Sequence, residues 1–164
     1  MATDSPSDVQ PRGTLYGEVA ALCALICGEA APVPVPQPRS VWTAARGLLG
    51  EYSAGTEYRR PERGRDAAIV IHQTVLAERE LLPVALAHEL LHHWEHLLGN
   101  RAEACPEGYP LEVEALVSRL LPDALMQRRW RERHSPRYVA KARSVCAHLG
   151  VSLEVLLFRA SRRS

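Results

Sequence analysis

The strongest constraint on how this chain can fold is the stretch from Glu78 to Leu98, which reads as one long helix. Pro83 is tolerable only near its first turn, and Gly99-Asn100 supplies a stop signal. The helix carries the run Leu86-Ala87-His88-Glu89-Leu90-Leu91-His92, with apolar residues just before and inside an HExxH pattern.

Residues four apart on a helix share a face, so His88 and His92 can reach one ion, as the HExxH pattern of zinc peptidases requires. Glu89 follows the first imidazole and projects beside the metal, where a carboxylate can take a proton from water and deliver it to a leaving amine. Two imidazoles make half a tetrahedral site. His96 extends the stripe, but eight residues of helix span about 12 Å, whereas two nitrogens on one zinc lie within about 4 Å, so His96 cannot join His88 on the same ion. His93 points away from this face.

The third protein ligand must come from elsewhere, with the fourth position left to water. Glu112 and Glu114 are the candidates. Taking Val113, Leu116, Val117, Leu120 and Leu121 as the buried face of the next helix, Glu114 lies at its edge, one turn before Ser118, and is preferred; Glu112, on the opposite edge, is the alternative. Glu103 and Glu107 read as solvated loop charges. Tyr109 and His72 are candidate donors to an oxyanion, although either reads as well as a packing or surface residue.

A length of 164 residues allows one domain with a real core. The hydrophobic share is 46% and the aromatic share only 5%, so the core must be built mainly from Leu, Val and Ala. A net charge of +1 gives no long-range field for nucleic acid or an anionic membrane, and the arginines from Arg128 to Arg133 and from Arg159 to Arg163 read as a solvated helix face. No apolar run is long enough to span a bilayer and no signal peptide is evident, so a cytoplasmic protein is expected. Cys23, Cys27, Cys105 and Cys146 show no CxxC pairing and read as buried or idle thiols.

The expected organisation is a disordered tail over 1–13, one domain over 14–160 and a basic tail over 161–164. Helical spacing begins at Thr14 and runs to about Glu29. Pro32, Pro34, Pro36 and Pro38 make the next segment an extended surface connector, neither helix nor central strand. Val41 to Leu49 reads as a short helix, Glu51 to Ser53 and Thr56 to Tyr58 as strand fragments, and Ala67 to His72 as the best strand, with a hairpin about Pro61 to Asp66. Helices follow at Leu111 to Leu121, Asp123 to Arg133, Lys141 to Leu149 and Ser152 to Ala160, with Gly150 between the last two. The fold class expected is α+β, mostly helical, with a small sheet on the HExxH helix and a helical C-terminal region.

Leu86 to His93, followed by Glu112-Val113-Glu114-Ala115 and Arg119-Leu120-Leu121-Pro122, resembles the ImmA/IrrE family of zinc metallopeptidases, which pairs an HExxH helix with a downstream E-x-E-A helix. The likeness runs from about Gly50 to Leu157. It implies a minimal zincin-like fold, zinc as cofactor and cleavage of a regulatory protein, in that family a helix–turn–helix repressor. A literal match would make Glu112 the ligand, whereas helical phase prefers Glu114. The competing expectation is a catalytically silent zincin-fold module that grips a partner protein. A SprT-like protease of DNA-associated proteins is a third, which would want a third histidine after the motif and a basic surface.

Overall fold

Ile69, Val70 and Ile71, β-branched and buried, place β3 (Ala68–His72) at the centre of a three-stranded sheet in the computed structural model, which describes residues 10–39, 50–53, 67–72, 75–76, 78, 80–99 and 106–159. β1 (Val35–Arg39) pairs with it in parallel and β2 (Gly50–Ser53) antiparallel, in the order β1-β3-β2. The proline segment is therefore an edge strand as well as a connector. The Val35 N–H donates to the Ala67 carbonyl at 3.0 Å, so alternation turns the odd residues of β1 toward β3. Pro36 and Pro38 then fall where an N–H would face away from the sheet, the one place a strand tolerates proline. β2 and β3 are antiparallel neighbours, as the hairpin expectation requires. The expected helix at Val41 to Leu49, the fragment at Thr56 to Tyr58 and the turn at Pro61 to Asp66 lie outside the described residues.

Helix α1 (Gln10–Cys27) begins four residues before the expected start at Thr14, so residues 10–13 are helical rather than tail. Pro11 falls in its first turn, where proline costs the backbone no hydrogen bond. Helix α2 (Leu82–Leu98) holds the HExxH pattern, with Pro83 in the first turn and Gly99 at φ 57° closing the end. Leu86, Leu90 and Leu91 are fully buried, as are Ile69 and Ile71 of β3. Each such side chain contributes about 1.5–3 kcal/mol of burial, and α2 is the hub on which α1, β2, β3 and the C-terminal helices pack.

Downstream come α3 (Leu111–Leu120), α4 (Ala124–Arg133), α5 (Pro136–Leu149) and a π-helical turn (Val155–Arg159). Asp123 caps α4 through the Met126 N–H at 2.8 Å, and Ser135 caps α5 through that of Tyr138 at 3.1 Å. Gly150 ends α5 in the left-handed conformation, φ 66°. The class is α+β, mostly helical with a small sheet. Among the described residues no helix is long and apolar enough to cross a membrane.

Candidate metal centre

One face of α2 turns His88 and His92 inward together, their ring centroids 5.2 Å apart. His88 is 2% exposed and Glu89, the next residue, 4%. The third residue with them is His134. Ligand atoms of His88, His92 and His134 all lie within 4.8 Å of one another, so the three could hold a metal ion.

Hydrogen bonds fix how two of these rings meet. His88 Nδ1 lies 2.8 Å from the Leu156 carbonyl, and His134 Nδ1 lies 2.9 Å from the Trp130 carbonyl. A carbonyl can only accept, so both Nδ1 atoms carry the hydrogen and each neutral ring keeps its lone pair on Nε2. Those two Nε2 atoms face each other at 3.3 Å. Two lone pairs at that distance repel unless a cation or a proton lies between them. A proton is disfavoured, because burial lowers the His88 pKa to about 4, against the pull of the Leu156 carbonyl. Burial, then the neighbouring His88 and Arg133, bring His92 to about 3, and burial, then His88 and His92, hold His134 well below the imidazole range. Nitrogens bound tetrahedrally at 2.0–2.1 Å are about 3.4 Å apart, close to the 3.3 Å between Nε2 of His88 and Nε2 of His134. The donor set and its geometry therefore fit a divalent cation.

The C-terminal end of α4 positions His134. Its backbone N–H also donates to the Trp130 carbonyl, at 2.9 Å, and its ring stacks on the Trp130 indole at 4.6 Å; the Phe158 ring stacks on the same indole at 5.1 Å. The Tyr109 hydroxyl donates to the His134 carbonyl at 2.5 Å and approaches that of Arg131 at 3.2 Å. Ser135, next in the chain, hydrogen-bonds Glu95 of α2, so the junction before α5 is tied to the metal helix. The buried Tyr138 donates its hydroxyl to the His88 carbonyl at 2.7 Å, and its ring lies 4.7 Å from that of His92. Burial first, then the charges of Glu89 and Glu95, push this phenol well above its usual pKa, so it stays a donor.

The acidic residues expected as third ligand stand elsewhere. Glu114 pairs with Arg131 at 2.9 Å and Glu112 with Arg143 at 3.5 Å, and neither joins the imidazole group. Val113, Leu116, Val117 and Leu121 are buried as the helical phase of α3 requires, whereas Leu120 is exposed, and the polar edge meets the arginines of α4 and α5 instead of α2. Glu107 is exposed and Glu103 lies outside the described residues. Tyr109, a candidate oxyanion donor, spends its hydroxyl on backbone carbonyls at His134 and Arg131. The side chain of His72 is outside the described residues. His96 stays outside the group, as the helical rise requires, and His93 faces α1. The third imidazole of the group, His134, sits among arginines that read as a solvated face. The available signal was its position at a helix junction, just before the Ser135-Pro136 start of α5, where a side chain is held rather than free.

No family model matches this chain, and neither a curated protein nor a solved structure matches it significantly.

Proposed function

We propose that the chain is a zinc-dependent peptidase in which His88, His92 and His134 hold the ion and Glu89 is the general base. The observation that carries this reading is the opposed Nε2 pair of His88 and His134 at 3.3 Å, with the Glu89 carboxylate one residue from a ligand. Three neutral imidazoles with an open fourth position suit zinc. Zinc bound there would acidify a water and polarise a carbonyl. Glu89, buried in the same helix, would accept the proton and return it to the leaving amine. The Leu156 and Trp130 carbonyls hold two rings in one tautomer, and Ser135 and Tyr138 hold the flanking backbone.

The strand before the HExxH helix and the packing of that helix on the sheet agree with a minimal zincin-like arrangement. The ligand set, His-His-His, departs from the glutamate that the ImmA/IrrE resemblance implied. The substrate class, a helix–turn–helix repressor, follows from that resemblance.

The test is cleavage of a denatured peptide library and of helix–turn–helix repressor domains by the zinc-loaded chain, beside Glu89→Gln. The variant should keep its metal and lose about 100-fold to 10,000-fold in rate. Cleavage at full rate by Glu89→Gln would remove that carboxylate from the mechanism.

A second reading is a catalytically silent module with a structural ion. It is favoured by enclosure: His88 and His134 are nearly fully buried, and Tyr138 lies against His92. The cavity lined by Tyr109, Pro110, Pro136 and Arg143 and that lined by Leu81, Val84, Val151 and Val155 do not reach the imidazoles. A wild-type chain that binds one zinc at this centre and cuts nothing in the library would support it.

A further inference from the structure

Behind the HExxH face, α1 and α2 bring together a second set of ligating side chains. Cys23 and Cys27 lie one turn apart on α1, and His93 follows His92 on α2; one ligand atom from each lies within 4.8 Å of the other two. We propose that Cys23, Cys27 and His93 form a second metal site, for a thiophilic divalent ion such as zinc, that clips α1 to the HExxH helix.

Zinc takes thiolate sulfur at about 2.3 Å and imidazole nitrogen at about 2.0–2.1 Å, so sulfurs in a tetrahedral site are about 3.8 Å apart. The observed cluster needs a closure of at most about 1 Å to reach that spacing, within the range of a χ1 adjustment. Cys23 and His93 are fully buried while Cys27 is partly exposed, which leaves an entry path from one side. The Pro32 carbonyl accepts from His93 Nε2 at 2.7 Å and from Cys23 Sγ at 3.7 Å, orienting the imidazole as outer partners of metal ligands do. The Leu90 carbonyl stands 3.8 Å from Cys27 Sγ.

Buried thiols packed as small hydrophobes are common, so two cysteines in a core prove little by themselves. Here a histidine converges on both. On binding, the thiol protons are released to solvent as the metal–sulfur bonds form, and no oxidation state changes.

The site stands whether or not the first centre is catalytic, and cobalt(II) separates the two. Reduced, chelator-stripped full-length chain is titrated anaerobically with cobalt(II). An all-histidine centre has no thiolate, whereas the second site should give near-ultraviolet sulfur-to-cobalt charge-transfer absorption. The wild type should bind about two equivalents and show the band. Cys23→Ser/Cys27→Ser should bind about one equivalent without it, and His93→Gln should weaken the band. Absence of the band from the wild type at cobalt saturation overturns the proposal without reference to any variant. A band that survives in Cys23→Ser/Cys27→Ser would belong to other cysteines and would overturn it equally.

Discussion

Acidifying the metal-free protein should unfold it in a window set by its buried histidines. Burial holds the His88 pKa at about 4 and, with the neighbouring His88 and Arg133, that of His92 at about 3, whereas in the unfolded chain both titrate near about 6.5. Below pH 6.5 the unfolded state takes up protons that the folded state refuses, so stability rises with pH and falls on acidification. The contribution of each ring is complete above about pH 6.5 and is lost as pH drops toward its folded value. At pH 5 each of the two costs about 2 kcal/mol relative to pH 7.5, together about 4 kcal/mol, and His134 adds to this in the same direction. A domain of this size has only about 5–15 kcal/mol in all. Urea unfolding followed through Trp94 and Trp130 fluorescence, with chelator present, at intervals from pH 7.5 to 5, measures the loss before most carboxylates titrate. Saturating zinc binds the neutral rings of the folded state only and should restore stability, by about 4 kcal/mol at 1,000 times its Kd. A change below about 1 kcal/mol between pH 7.5 and 5 without metal would mean that the three rings are not buried neutral, and the metal centre as described would fail with them.

His134→Ala should weaken zinc binding by more than about 100-fold, the upper end of what losing an outer partner costs, while Glu114→Ala and Glu112→Ala, which break part-exposed ion pairs, should keep the metal and change stability by no more than about 1 kcal/mol; zinc competition with a chromogenic chelator reads all three. Tyr138→Phe removes a buried donor to the His88 carbonyl and should cost about 0.5–1.5 kcal/mol in chemical denaturation. Gly150→Ala adds a methyl that meets nothing within 4 Å but forces a positive φ, so thermal unfolding should show a loss of about 1 kcal/mol from strain alone.

What could be read from the sequence follows the range of the signals. The α2 pattern, with Pro83 inside its start and Gly99 past its end, is local, although the helix starts at Leu82, four residues after the expected Glu78, because Pro83 holds the first turn. The β-branched run at Ala68–His72 and the Ser135-Pro136 and Gly150 boundaries of α5 are local too. The proline segment reads as extended and not as a central strand, and its pairing was not legible because a strand needs a partner; alternation lets Pro36 and Pro38 lie on an edge once β3 is beside them. The third imidazole was hidden for a similar reason. The junction before Ser135-Pro136 is the one local signal at His134, and it says nothing of a partner; only the packing of α5 on α2 brings it beside His88, forty-six positions away in sequence. The acidic edge of α3 had the right periodicity and the wrong neighbours, which is a tertiary fact that periodicity does not carry. The thiols of α1 lacked a CxxC spacing, yet residues four apart on a helix converge as well as those of a loop, provided a third ligand arrives from another element.

The two carbonyls that fix the imidazoles are of one kind. Trp130 lies in the last turn of α4, where its carbonyl also accepts the His134 backbone N–H, and Leu156 lies in the π-helical turn; both carbonyls take ring N–H groups as partners. His134 and His88 supply those partners through Nδ1, and the Tyr109 hydroxyl serves the Arg131 and His134 carbonyls at the same end of α4. Held by these carbonyls, the rings keep the tautomer that turns both Nε2 lone pairs to one point. A helix C-terminus also carries partial negative charge, so the end of α4 directed at His134 favours a cation and raises the basicity of its ligands.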